Sequence, residues 1–577
     1  MESSLKRAMV ILGVLSMVLP CTAGEPEPNS LLLTGEPEIT VHPDGRAVIM
    51  FETLWSTPPA RLHYGPALAE QKLDTPRYRY TEVEVADFDP AGESVPAGTR
   101  HTISFRPLRM ERYFGKANLC DRVVYYRLEV FDPKTRAARF FDHRFRFFQA
   151  EDGSYRRAAC MVEGPFVDKA TPGGMTVSWR TDRPTKGGVK IGDARYASGE
   201  RAAWHEVAIE GLRADTQYEY SVFYDSEAGP YESCRYAFRT APKPGRGKEI
   251  VFAVMSDCRA GSGGGERHQE GVNTYTLRKF FSEAYVKGVD LVCFPGDLCN
   301  GFTASERDFR EQLRSWKRAV EPVGHFIPIY ETMGNHEYLR VDPEVIARTR
   351  GRVSAEGVFA DEFVNPENGP KPETEDAPPY RENAFSFDYG SCHFTFVNTN
   401  YWRQGMKRKF DGRQGNIEGF ILERQMEWLR GDLEDARRRK MKHLFVFTHE
   451  PAFPNGGHLH DAMYYNGKIP EVLEMRDEFW ALVSENEVAA VFFGDEHNYS
   501  RTVIGPEFNP AFPNPVTQVV TGGCGAPFYS QEETPWTPLV KKFSTQQHWC
   551  LVKVKGRRVW MEVFGADGLL IEKARLR

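Results

Sequence analysis

The stretch Glu249-Ile-Val-Phe-Ala-Val-Met-Ser-Asp-Cys-Arg259 decides how the chain folds. Its first seven residues are almost continuously apolar, the pattern of a short strand buried on both faces. Polar residues gather only where the run ends, at Ser256, Asp257 and Arg259. The arrangement returns downstream. Asp290-Leu-Val-Cys-Phe-Pro295 leads into Gly296-Asp297, and Phe326-Ile-Pro-Ile-Tyr-Glu-Thr332 into Gly334-Asn-His-Glu337. His443-Leu-Phe-Val-Phe447 leads into Thr448-His449-Glu450, and Val488-Ala-Ala-Val-Phe-Phe493 into Gly494-Asp-Glu-His497. Helical patterns lie between, over about Val272–Lys287, Ser305–Val320, Ile417–Arg438 and Glu471–Glu485. Strands alternating with helices predict a layered α/β domain over 249–577. In open sheets of this kind ligands bind beyond the carboxyl ends of the strands, where these polar residues fall.

Upstream the rhythm differs. Arg79-Tyr-Thr-Glu-Val-Glu-Val85 and Val123-Val-Tyr-Tyr-Arg-Leu-Glu-Val130 alternate with period two, and turn clusters such as Pro90-Ala-Gly92 separate such segments, so 30–150 reads as a β-sandwich. A second sandwich is expected over 155–243, from Met175-Thr-Val-Ser-Trp179, Glu206-Val-Ala-Ile209, Gln217–Phe223 and Tyr236–Thr240. There, Gly211-Leu-Arg-Ala-Asp-Thr-Gln-Tyr218 resembles the tyrosine corner of fibronectin type III domains. Pro242-Lys-Pro-Gly-Arg-Gly-Lys248 reads as the linker to the α/β domain, and Asn365–Pro379 as an exposed loop.

Residues 1–23 read as an export signal: Lys6 and Arg7, the apolar run Ala8–Leu19, then Cys21-Thr-Ala23 before the cut. The protein is therefore expected to be secreted, periplasmic or at the cell surface; Pro20 before Cys21 argues against a lipid anchor there. No later run is long and apolar enough for a membrane helix. A formal charge of -6 offers no basic field for nucleic acid, so any phosphate affinity is local. Nine cysteines remain after cleavage, and Cys160 with Cys234 reads equally as a disulfide or as two buried thiols.

Five strand ends carrying Asp, Asn and His suggest a metal cage. A hydrolytic two-metal site needs a bridging carboxylate, further N or O donors, and an open position. The residues resemble the calcineurin-like metallophosphoesterase superfamily, and within it the purple acid phosphatases, whose order is D-x-H, G-D, G-N-H-[DE], a lone His, and G-H-x-H. Here that order reads Asp257-Cys-Arg259, Gly296-Asp297, Gly334-Asn-His-Glu337, His449 and Gly494-Asp-Glu-His497. Asn498-Tyr-Ser-Arg501 and Gly522-Gly-Cys-Gly-Ala-Pro-Phe-Tyr529 extend the likeness. The resemblance implies that Asp257 and His497 hold one metal, Asp297 bridges, and Asn335 and His449 hold the other. It implies that His336 faces the phosphate and that Glu337 orients His336 through its second ring nitrogen. The metal identities, a divalent or mixed-valence pair among Mn, Fe, Zn, Mg and Ca, stay open.

Three positions depart from the family. Arg259 replaces a histidine; a guanidinium does not ligate a cation, so it reads as a phosphate clamp or as the partner of a nearby carboxylate. Asn300 stands where purple acid phosphatases carry tyrosine, which predicts a colourless protein and leaves Asn300 to face substrate. Asp495 replaces a metal-binding histidine and is expected to ligate in its place with harder oxygen donors. Of the loop Asn455-Gly-Gly-His-Leu-His460, His460 is the candidate proton donor and His458 a solvated residue. Cys258, Cys293 and Cys299 read as small buried side chains, and Gly261-Ser-Gly-Gly-Gly265 as a rim rather than a phosphate loop, since it lacks the Lys-Ser/Thr ending. The expected function is hydrolysis of a phosphate monoester or diester, small or macromolecular, by a metal-activated hydroxide. The alternative is a catalytically inert, phosphatase-like binding or adhesion protein at the cell surface. Neither substrate identity nor oligomeric state is legible.

Overall fold

The structure, a computed structural model, describes residues 31–68, 84–86, 97–109, 119–245, 248–259, 261, 263–404 and 415–577. The expected export signal, most of Arg79–Val85 and the Pro90–Gly92 turn lie outside the described residues.

Each apolar run of the α/β part becomes a strand whose alternate side chains serve two different cores. From Ile250–Val254, Phe252 and Val254 join Leu291, Cys293, Phe394, Phe445 and Phe447 in one cluster. Ala253 and Met255 point the other way, onto Leu277, Phe281 and Trp316 of the helices Thr274–Val286 and Glu306–Gly324. From His443–Phe447, Leu444 and Val446 turn outward onto Leu429, Phe479 and Val483 of the helices Glu423–Arg438 and Pro470–Glu485. That double duty is why the runs are mostly apolar. Each fully buried side chain of this size contributes roughly 1.5–3 kcal/mol.

Two sheets therefore stack face to face with helices outside. One runs in the order Ile329–Thr332, Leu291–Pro295, Ile250–Val254, His548–Lys555, Arg558–Gly565, Leu570–Arg575. The other runs Phe385–Tyr389, Cys392–Phe396, His443–Phe447, Ala490–Phe493, Val516–Thr521, Tyr499–Ile504, Val540–Ser544. The edge of the Phe252 ring meets the faces of Phe394 and Phe445, both at 5.1 Å between centroids, and pins the sheets together. In the first sheet the first three strands are parallel, and in the second the strands from Cys392–Phe396 through Val516–Thr521 are. Their carboxyl ends therefore open on the same side.

The preceding β-region forms two sheet pairs. Ile49, Phe51, Ile103 and Phe105 of one sheet pack on Leu62, Tyr126, Leu128 and Phe145 of its partner. In the second pair, Trp179 is fully buried and the Tyr218 hydroxyl accepts the Arg213 backbone N–H at 2.9 Å. Cys160 and Cys234 are both buried and are not bonded to each other, so of the two readings the disulfide between them is excluded. The β-region is clamped to the helix Glu306–Gly324 by a buried Arg144–Glu321 pair at 2.6 Å and by Lys317 on Glu163. The Tyr220 hydroxyl adds a hydrogen bond to the His325 carbonyl at 2.8 Å. Buried ion pairs of this kind set registry more than they add stability.

Two sequence expectations change here. Gly264 is a packing contact: a Cβ there would lie 2.5 Å from the Ala137 side chain of the first β-region. The segment Asn365–Pro379 lacks helix and strand, but Asn365, Ala377 and Pro378 are buried, and Asn365 Nδ2 donates to the carbonyls of Glu331 and Glu382. It is half-buried where an exposed loop was expected. No helix among the described residues is long and apolar enough to cross a membrane.

A buried histidine at the edge of the second sheet makes stability pH-dependent. His393 bonds Asp388 at 2.7 Å and Asp432 at 2.9 Å. Burial opposes its charge, but the two carboxylates outweigh it and push its pKa up to about 9. A folded value above the unfolded one of about 6.5 means the contribution is complete below pH ~6.5 and is lost as pH rises through about 9. Melting temperature should fall over that window in the parent, and the decline should flatten in His393→Gln.

Candidate metal centre

At the open side of the parallel strands the backbone takes an unusual form. Asp257, Asp297 and Asp495 all have positive φ, at 65°, 55° and 65°. Aspartate tolerates this region better than most residues, and such strained positions cluster at functional sites. The glycines before them answer to space. A Cβ on Gly296 would lie 2.6 Å from His449 Nδ1, and one on Gly494 2.3 Å from Ser256 Oγ and 2.6 Å from Asp257 Oδ2. The strand ends touch one another through bare backbone, which draws the carboxylates together.

His449 donates from Nδ1 to the Pro295 carbonyl at 2.7 Å, leaving Nε2 at 3.1 Å from Asp297 Oδ1 and 4.0 Å from Asp495 Oδ1. His497 donates from Nδ1 to the Pro527 carbonyl and turns Nε2 to 3.5 Å from Asp257 Oδ1. In both, the bonded nitrogen fixes the tautomer and leaves the other free as a donor to a metal. The Asp495 backbone N–H reaches both Asp257 oxygens, at 3.1 and 3.2 Å. Asp297 Oδ2, Asn335 Oδ1 and both carboxylate oxygens of Asp495 are buried without a hydrogen-bond partner. Buried unpaired carboxylate oxygens are costly, and their grouping here fits a divalent cation between them. Ligand atoms of Asp257, Asp297 and His449 lie within 4.8 Å of one another, as do those of His449, Glu450 and Asp495, and those of Glu418, His458 and Asp495.

Charge is strongly redistributed. Burial pushes the Asp257 carboxyl up to about 7 and that of Asp495 well above the usual carboxylate range. Burial works the same way on Asp297, but His449 and His336 outweigh it and hold that carboxylate well below its usual value. Burial would lower His449, yet Asp297 raises it well above 6.5. Burial and then Arg259 push His336 down to about 3. Such opposed shifts within one cluster mark a functional site.

The structure gathers Asp257, Asp297, His449, Asp495 and His497, with Asn335 held beside them by its Nδ2 bond to Glu418 Oε1 at 2.6 Å. Because Glu418 only accepts, that bond turns Asn335 Oδ1 away from it. Arg259 Nε is 3.9 Å from Asp297 Oδ2 and has no hydrogen-bond partner. Three expectations are corrected. Glu337 does not orient His336, whose Nδ1 donates to the Asn300 carbonyl at 2.7 Å. Instead Glu337 accepts the backbone N–H groups of Asp297, Leu298, Cys299 and Gly334, which ties two strand ends together. The Asn300 backbone carbonyl is thus the fixed contact of the His336 ring. His460 is half-exposed and paired with Asp461 at 3.2 Å, whereas His458 lies largely buried with Nδ1 3.4 Å from Asp495 Oδ1. Cys258, Cys293 and Cys299 are buried free thiols, as expected.

Sequence reasoning also passed over Glu418 and Arg403. Arg403 bonds Glu418 Oε2 and the Asn335 carbonyl, the latter at 2.8 Å, and its guanidinium lies 5.0 Å from the Phe302 ring centre. Neither follows an apolar run, so no spacing signal points to them. For His458 the only signal is the Gly456-Gly457 pair before it.

Fold and site together resemble those of metallophosphoesterases. Residues 250–499 match the Calcineurin-like phosphoesterase family model. The chain is 23% identical over 422 residues to acid phosphatase type 7 of Mus musculus, spanning 67% of this chain and 80% of that protein. It is 27% identical over 191 residues to the probable inactive purple acid phosphatase 9 of Arabidopsis thaliana, spanning 32% of this chain and 26% of that protein. The structure of purple acid phosphatase PPD1 from yellow lupin (Lupinus luteus) seeds superposes with a TM-score of 0.57 over 95% of both chains at 16% identity, a likeness of fold.

The placement of Glu337 generates a test. Glu337→Ala leaves four buried N–H groups unpaired. The loss in unfolding free energy, read by chemical denaturation in chelator, should be about 3 kcal/mol or more, at roughly 1–3 kcal/mol for each unsatisfied group.

Proposed function

We propose that the protein is an exported, metal-dependent phosphoesterase that hydrolyses a phosphate monoester or diester. The observation that carries this reading is the cluster of buried, unpaired oxygens of Asp297, Asn335 and Asp495 beside the open nitrogen of His449. Asp257 and His497 would hold one cation, Asn335, His449 and Asp495 the other, with Asp297 between them. Bound cations supply Lewis-acid polarisation of the phosphate and a nucleophile at neutral pH.

The chain's own residues do the rest. Arg259 carries an unpartnered, largely buried Nε–H at the edge of the cluster, suited to the equatorial oxygens of a phosphoryl group. His336 is locked through Nδ1 on the Asn300 carbonyl, so Nε2 is its only titrating atom. Arg259 and burial keep it neutral, and an incoming phosphate acts in the opposite sense, letting it hold a proton near the leaving oxygen. Its backbone N–H donates to Asp297 Oδ1 at 3.0 Å, which couples the position of the ring to the central carboxylate. Export rests on the basic and apolar pattern of residues 1–23.

The alternative, an inert phosphatase-like binding protein, draws on Arg259 standing in place of a ligand and on the inactive label of the Arabidopsis relative. Turnover of aryl phosphates decides between them. The metal-loaded parent should hydrolyse them, with Asp297→Asn at least ~10³-fold slower, the scale of losing a central electrostatic group. A parent that retains metal yet turns over no mono- or diester across pH would establish the inert reading.

A further inference from the structure

This inference rests on the phosphoesterase reading and concerns how one of its cations is held. Where the resembled family has an imidazole, this chain has Asp495. The residue is 1% exposed, and neither of its carboxylate oxygens has a hydrogen-bond partner. An imidazole from another part of the chain stands beside it. His458 Nδ1 lies 3.4 Å from Asp495 Oδ1, and ligand atoms of Glu418, His458 and Asp495 fall within 4.8 Å of one another.

The approach of His458 is built. Glu496, next to Asp495, accepts the backbone N–H of Asn455 on Oε2 at 2.8 Å and that of Gly456 on Oε1 at 2.6 Å. The loop carrying His458 is therefore tied to the strand end that carries Asp495. The two glycines before His458 are required by closeness. A Cβ on Gly456 would lie 2.0 Å from the Ser530 carbonyl oxygen, and one on Gly457, whose φ is +98°, 2.5 Å from the Tyr529 ring. Asp461 Oδ1 lies 3.0 Å from the same Nδ1, so carboxylates of the loop and of the strand end converge on one edge of the imidazole. Glu418 is placed from the other side by Arg403 and by Asn335.

Two carboxylates and an imidazole converging on a dry spot, one carboxylate with nothing to bond, form a donor set for a divalent cation. We propose that Asp495, His458 and Glu418 form the outer cation seat of this centre, so that His458 restores the imidazole absent from position 495. Asp495 and His458 have exchanged parts: the strand end contributes oxygen and the loop contributes nitrogen.

The test uses the full chain, stripped with chelator and titrated with Mn²⁺, with metal content read by elemental analysis and free Mn²⁺ by electron paramagnetic resonance. The parent should bind two equivalents. His458→Ala should weaken one equivalent tenfold or more, in line with the loss of a ligand or its support. His460→Ala should leave both unchanged. Equal melting temperatures in chelator exclude misfolding as the cause, and adding Asp495→His to His458→Ala should return the lost equivalent. If His458→Ala binds Mn²⁺ with the parent's stoichiometry and affinity, this inference is overturned while the phosphoesterase reading stands. If the parent binds no Mn²⁺ at all, both fall together.

Discussion

Three aspartates brought together in a dry pocket are the constraint around which the rest of this structure is arranged. Asp257, Asp297 and Asp495 are all essentially fully buried, and the Asp495 backbone N–H bridges directly to Asp257. Water cannot compensate such charges, and like charges at this range repel strongly. The protein meets the repulsion with a ring of donors: His449 against Asp297, His497 against Asp257, His458 against Asp495, and Arg259 at the rim. Holding these groups so close requires rigid walls. The stacked sheets supply them, with Phe252 locked between Phe394 and Phe445 directly behind the strand that ends at Asp257.

The departures from the family pattern make sense as a set. Arginine for histidine at 259 adds one positive charge, and aspartate for histidine at 495 adds one negative charge, so the two changes cancel in formal charge (+1 − 1 = 0). What changes is the distribution: positive charge moves to the edge near Asp297, and negative charge to the side facing the Asn455–His460 loop. His458 stands on that side 3.4 Å from Asp495, where its imidazole meets the added charge, while Glu418 brings a further carboxylate to the same spot. Glu337 shows the same economy in the backbone, with one carboxylate closing four strand-end N–H groups beneath the cluster.

Much of this was legible along the chain. The apolar runs marked their strands to within three residues, because a strand buried on both faces is built mainly of apolar side chains. The helix expected over Glu471–Glu485 runs Pro470–Glu485, and that expected from Ile417 begins at Glu423. The strand-end residues were legible for the same reason: each directly follows a run that announces itself. Glu418, Arg403 and His458 follow no such run. Loops are free of periodicity, so their contacts leave no trace in spacing.

The linear order of residues alone determined the layered α/β architecture after a β-rich amino-terminal region, and pointed to Asp257, Asp297, Asn335, His449, Asp495 and His497 as candidate ligands. Hydrophobic periodicity reports burial, and burial of a parallel strand dictates where its polar end emerges. Tertiary structure alone decided which neighbours those residues meet. It placed Asn300 rather than Glu337 on the His336 ring and His458 rather than His460 beside Asp495, and it left Cys160 and Cys234 unbonded to each other. Each of those outcomes turns on distances of a few ångströms between segments far apart in the chain, and only the packing of the sheets and loops sets such distances.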